Sequence, residues 1–265
     1  WMLMVLSMGF VFSTLPVQLL LPIIGWRWIF GLIVVLIFLV IILTLLFIPR
    51  WKKEVNNYDE KNSGSLSDVW KSKFFRSTIP LGLFNYGGMV AIQTLWAGPW
   101  MVRVADYAPL KSATGLFWIN ITMLVAFFIF GYILPKITKL GFESMRLMKI
   151  GLPISYLSLL IIIILGENAG ALHFTIYLLT SIVLTLTQPA VALSFPTSLA
   201  GKSLTSFNLL IFVGTFLMQW GIGLVIDLCQ FLGKGEIQSF QISFFVYLLI
   251  CILSYLYFLL KNRNE

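Results

Sequence analysis

Eight runs of roughly twenty mainly apolar residues, at 1–24, 28–48, 79–102, 115–134, 147–165, 172–194, 206–228 and 241–260, leave this chain little choice of solvent. A helix rises about 1.5 Å per residue, so each run is long enough to cross about 30 Å of hydrocarbon. The runs are apolar on every face and lack the in/out alternation of a lipid-facing barrel strand, so the spans are helical. With 59% hydrophobic residues, 11% charged residues and a mean hydropathy of +0.96, the chain has too little polar surface for a water-soluble domain. The expected class is an all-α polytopic membrane protein with eight transmembrane helices.

The gaps between the runs carry a topology. Of eighteen Lys and Arg residues, fourteen fall in alternate gaps around 49–78, 135–149 and 193–205 and in the tail 261–265, while the other gaps hold only Arg27, Arg103, Lys111 and Lys234. Loops rich in Lys and Arg stay in the cytoplasm during insertion. The central loop and the C-terminus are therefore expected inside, in the inner membrane of a bacterium. The net charge of +8 is explained by this topology and by anionic headgroups, which leaves no call for a nucleic-acid partner. Cys229 sits at the outer end of one run and Cys251 in the middle of another, so neither a structural disulfide nor a metal site is expected. No basic leader followed by a small-residue cleavage site opens the chain. It begins instead on Trp1, inside an apolar run, and we expect further residues upstream.

The longest polar stretch, 50–78, separates two runs from six. Its middle, around Ser63-Gly64-Ser65, has turn chemistry. Ser67 to Arg76 reads either as an amphipathic surface helix, with basic and aromatic residues for the headgroup layer, or as a solvated connector. The last six runs divide into two sets of three, and each set opens on a run with weak helical chemistry. The first holds Gly87-Gly88, and the second holds Gln188-Pro189, where the missing amide frees a carbonyl at membrane depth. Interrupted helices in matching positions of two repeats point to a transport site near the midplane. The alternatives are a packing glycine and a lipid-facing kink.

Gly25-Trp26-Arg27-Trp28 between two spans, the long basic central loop, Phe84-Asn85-Tyr86-Gly87-Gly88 and Leu95-Trp96-Ala97-Gly98-Pro99-Trp100 together resemble the major facilitator superfamily, from helix five to helix twelve. The resemblance implies the last two helices of an incomplete N-terminal bundle at 1–48, a cytoplasmic central loop at 49–78 and a complete C-terminal six-helix bundle at 79–265. It also implies a secondary transporter of a small solute that works by alternating access, is monomeric when complete, needs no cofactor and uses a coupling ion in some members. Two family motifs depart from pattern. The loop 131–141 keeps its glycines and bases but has Pro135 in place of the acid, so a gating ion pair is not expected there. The helix-five antiporter motif is reduced to Gly9, Ser13 and Pro16, with Gly9 and Ser13 spaced for close helix approach.

No acidic or basic residue lies deep inside any run; Arg103, Lys149 and Asp227 all fall near a boundary. An ionisable group at mid-membrane costs a few kcal/mol and usually marks an ion pathway, so the site is expected to be polar but neutral. The substrate-binding candidates are Asn85, Tyr86, Gln93, Trp96 and Trp100 on the first interrupted run, Thr185 and Gln188 on the second, together with Thr187, and Gln219 on the seventh. Gly87, Gly88 and Pro189 are the gating candidates. At about 100° per residue, Asn85, Gln93, Trp96 and Trp100 fall on one side of a uniform helix. The competing reading is that these groups bond between helices. Trp1, Trp26, Trp28, Trp51 and Trp70 read as interfacial anchors, His173 as structural or exposed, and Gly214, Gly221 and Gly223 as packing positions.

No catalytic residue is assigned. The Gly-x-x-x-x-Gly-Lys-Ser/Thr run of a P-loop is absent from the sequence. A second hypothesis, a membrane enzyme acting on lipid or isoprenoid substrates, requires clustered His, Asp, Glu or Cys, whereas His173 is the sole histidine and the acids are scattered. A third is a truncated product with no activity.

Overall fold

The computed structural model describes residues 2–47, 64–139 and 144–262, and every regular element among them is helical. In chain order these are α1 (Met2–Phe12), α2 (Leu15–Phe47), α3 (Leu66–Lys71), α4 (Lys73–Pro80), a π segment Leu81–Tyr86, α5 (Gly87–Ala91), a π segment Ile92–Trp96, α6 (Ala97–Arg103), α7 (Pro109–Lys139), α8 (Ser144–Leu165), α9 (Ala171–Thr180), a 3₁₀ segment Ser181–Leu186, α10 (Thr187–Leu193), α11 (Thr197–Phe231) and α12 (Glu236–Lys261). Among the described residues, six helices are long and apolar enough to cross a bilayer: Leu15–Phe47, Pro109–Leu134, Ser144–Asn168, Ala171–Leu193, Thr197–Phe231 and Glu236–Lys261. They make the chain a polytopic, all-α integral membrane protein. The first half of the expected central loop, 49–63, part of the 131–141 loop, and the tail 263–265 lie outside the described residues, as do Trp1, Ile48 and Trp51.

Two departures from the expected eight runs have local causes. The run at 1–24 divides at Ser13-Thr14, where Ser13 Oγ donates to the Phe10 carbonyl at 3.0 Å and Thr14 Oγ1 to that of Val11 at 2.8 Å. Such back-bonding competes with the helix ladder, and Pro16 has no amide to repair it. The gap expected at 25–27 is a kink rather than a loop: α2 continues past Gly25, whose φ of 72° and ψ of 164° suit only glycine. The run 73–103 is helical throughout, but alternates between α and π turns.

The basic gaps meet at one end of the bundle. Lys202 Nζ donates to the Gly64 carbonyl at 2.8 Å, Tyr255 Oη to that of Lys149 at 2.6 Å, and Asn262 Nδ2 to Ser77 Oγ at 2.9 Å. At the other end, exposed Arg103 and Glu236 pair at 3.6 Å. The amphipathic reading of 67–76 holds over the connector reading, although the helix breaks at Ser72, whose side chain caps α4. Ser65 and Asp68 form a capping box on α3. Val69 and Phe75 are fully buried while Lys71, Lys73 and Arg76 face outward.

The last six helical runs interlock as two sets of three. The first helix of each set packs on the middle helix of the other: 73–103 lies along α11, and α9 along α7. The first crossing is backbone to backbone. A Cβ on Gly87 would sit 2.6 Å from the Gly214 carbonyl carbon and the Thr215 nitrogen, and one on Gly214 would strike the backbone of Leu83. Gly214 thus has the packing role the sequence suggests, and so does Gly223, where an added Cβ would lie 3.3 Å from the Trp96 ring, whereas Gly221 and Gly9 have open space. Deep between the helices, Trp100, Phe174, Phe240 and Phe244 form a buried aromatic cluster with centroids 4.6 to 6.4 Å apart.

Candidate functional site

The 73–103 helix carries five of the candidate residues, and its π turns decide where they point. The Gly87 amide reaches back five residues to the Gly82 carbonyl, and the Ala97 amide to that of Ile92. Each wide turn takes up extra residues and shifts the phase of everything beyond it. Pro99 contributes to the second, since its ring crowds the carbonyl of Leu95 and offers no amide to bond it. The single stripe expected from a uniform helix therefore does not form. Asn85 faces α8 and α12, Gln93 faces α7, Trp96 faces α11 and α12, and Trp100 faces α12 and the turn before α9.

Several candidates are occupied by the bundle itself. Asn85 accepts from Tyr156 Oη at 2.7 Å and donates to Ser254 Oγ at 3.1 Å and the Cys251 carbonyl at 3.4 Å. Trp100 is fully buried and donates to the Ala169 carbonyl at 3.1 Å. Tyr86 is buried in the apolar core. Thr185 and Thr187 return their hydroxyls to Ile182 and Leu184 of their own helix. Gln188 Nε2 bridges to Asn208 Oδ1 of α11 at 2.8 Å.

The gating candidates divide in the same way. Gly87 is a contact with α11, and the place a Cβ would take on Gly88 is filled by the ring of Tyr247, whose hydroxyl lies 3.1 Å from that of Tyr177. Pro189 is exposed. It lies four residues after Thr185, so its missing amide and its ring act on the 3₁₀ segment Ser181–Leu186. Both interrupted runs thus depart from α geometry near their middles.

Gln93 is different. Its Nε2 donates to Asn120 Oδ1 at 2.9 Å, and both amides line a cavity of about 360 Å³ between the α1–α2 corner, the second π segment and α7. Thr94, Ser13, Thr14 and Gln18 complete its polar wall, with Phe10, Val17, Ala113 and Leu116 as the apolar one. Gln219 and Trp96 stand behind this wall: Gln219 Nε2 donates to Thr94 Oγ1 at 3.0 Å, and Trp96 Nε1 to the Gln219 carbonyl at 3.1 Å. Among the candidates, Gln93, Trp96 and Gln219 are thus gathered in one place, and no charged side chain lines the cavity.

Asn120 was missed by the sequence reading, although it is an amide deep in an apolar run and so carries the same signal as Gln93. Ser13, Thr14 and Gln18 carried a weaker one, a polar group around Pro16. Among the described residues no group of three or more His, Cys, Asp or Glu could hold a metal ion. No protein-family model, curated protein or solved structure matches this chain.

Proposed function

We propose that this protein is a secondary transporter of a small solute, of the major facilitator type, with the cavity around Gln93 and Asn120 as its solute site. The observation that carries the reading is the place of that cavity: polar, uncharged, and walled on one side by α1 and α2 and on the other by the 73–103 helix and α7. Relative motion of those two walls would open and close it. π turns recur at functional sites, and one of the two in 73–103 supplies Gln93 to the wall. The interlocked three-helix sets, each opening on a helix with a non-α middle, agree with a repeat-built transporter.

In this reading the chain crosses the membrane eight times. The regions 2–24 and 26–47 form the first two crossings, 73–103 the third, and the remaining five helical runs the others. The basic end faces the cytoplasm of a bacterial inner membrane. Gln93, Trp96 and Gln219 serve the site directly or from behind, while Asn85 and Trp100 hold the bundle together. The mechanism involves no covalent chemistry.

Alternating access is tested with Gln18→Cys and a membrane-impermeant thiol reagent, in right-side-out and inverted vesicles. The native Cys229 and Cys251 are both buried and give a low background. A transporter exposes this position to both sides of the membrane in turn, so labelling is expected in both preparations. Labelling from one side only, in every condition, would remove the reading.

A further inference from the structure

We propose that the cavity selects uncharged solutes carrying a primary amide or urea group, an assignment that rests on its being the solute site. Gln93 and Asn120 share one hydrogen bond, which leaves the Gln93 Oε1 acceptor and the Asn120 Nδ2 donor free on two residues that line the same cavity. Reversing both amides leaves one acceptor and one donor all the same, so the pattern does not depend on which atom is oxygen. A primary amide matches it: its carbonyl accepts from one group while an N–H donates to the other. The second N–H then needs an acceptor, and Ser13 and Thr14 supply one. Ser13 and Thr14 have already given their hydroxyl hydrogens to the carbonyls of Phe10 and Val11, so toward the cavity they present lone pairs.

Ions fit poorly. An anion would meet these lone pairs with no cationic side chain in the wall, and a cation would find no carboxylate to balance it. Leaving a charge unpaired away from water costs several kcal/mol. A polyol is neutral, but a hydroxyl carries one hydrogen where a primary amide carries two, so a hydroxyl that donates to the Gln93–Asn120 pair has none left for Ser13 or Thr14.

The test uses the purified full chain in lipid nanodiscs, with labelled nicotinamide, nicotinate and mannitol in equilibrium dialysis. Nicotinamide and nicotinate share a ring and differ in charge and in the amide. Saturable binding of nicotinamide is expected, at least about tenfold tighter than of either other probe. Val17→Cys, on the apolar wall, is expected to react with N-ethylmaleimide at least about tenfold more slowly when nicotinamide is saturating; Ala113→Cys serves if that variant does not fold. Absent or unsaturable nicotinamide binding, equal or tighter binding of nicotinate or mannitol, or binding that leaves the alkylation rate unchanged would each overturn the assignment. Counterflow in proteoliposomes separates the two readings: flux of nicotinate or mannitol alone keeps the transporter and removes the amide preference, whereas site-specific nicotinamide binding without any flux removes the transporter and keeps the site.

Discussion

Asn85 and Gln93 are amides on one helix, yet their hydrogen bonds give them different work. Asn85 accepts from Tyr156 and donates to Ser254, so both ends of its amide are used between helices, while Gln93 shares one bond with Asn120 beside a cavity. Replacing Asn85 by leucine takes from the Tyr156 hydroxyl its 2.7 Å acceptor, leaving it the longer contact with the Cys251 carbonyl, and is expected to cost about 1–2 kcal/mol, read as a lower thermal midpoint in detergent. Replacing Gln93 by leucine leaves Asn120 at the cavity edge, where water can reach it, and is expected to cost less than about 0.5 kcal/mol by the same measurement while abolishing solute binding. Equal destabilisation by the two changes would show that Gln93 is structural as well. Gly214 makes a stronger demand, because a methyl group there meets backbone that cannot swing aside. Gly214→Ala is expected to cost about 2–3 kcal/mol, and an unchanged midpoint would refute the close crossing of 73–103 and α11.

At the level of the helix, what could be read from the sequence followed from residues with one dominant local effect. Pro189 marked a broken helix, and the helix departs from α geometry there because the missing amide leaves no alternative, whereas Gly25 was read only as part of a gap between two spans and proves to be a kink set by its glycine-only φ. Restoring the amide should therefore restore the helix. Pro189→Ala is expected to slow hydrogen exchange of the amides around 185–190 about tenfold, and an unchanged rate would mean that tertiary packing, not the proline, sets the 3₁₀ segment. The orientation of Asn85, Gln93, Trp96 and Trp100 was not legible, for a physical reason. A helical wheel assumes a constant turn, and two π segments change the phase between these residues. The first wide turn lies where Gly82, Gly87 and Gly88 meet other helices, contacts that no local pattern announces, and the second has only Pro99 as a local cue. The cavity was hidden for a similar reason: half of its wall comes from 10–18, far from Gln93 in sequence.

Across the whole molecule, charge and apolar surface tell one story. The helix 26–47 is almost wholly exposed along its length, with Phe38, Val40 and Leu45 each more than half accessible, a surface that water would not tolerate and lipid tails would. Past Arg27 at its start that helix carries no basic residue, and among the described residues Lys71, Lys73, Arg76, Lys149, Lys202 and Lys261 lie on segments brought together by contacts among α3, α4, α8, α11 and α12 at one end. Lys and Arg are retained on the cytoplasmic side, so this end should face the cell interior. The expectation can be checked with single cysteines at exposed positions: Lys73→Cys should react with an impermeant thiol reagent only in inverted vesicles, and Lys234→Cys only in right-side-out ones. The opposite pattern would invert the protein in the membrane. Reaction of both from the same side would break the eight-crossing path itself, because 73 and 234 would then be joined by an even number of crossings rather than the five that the path requires.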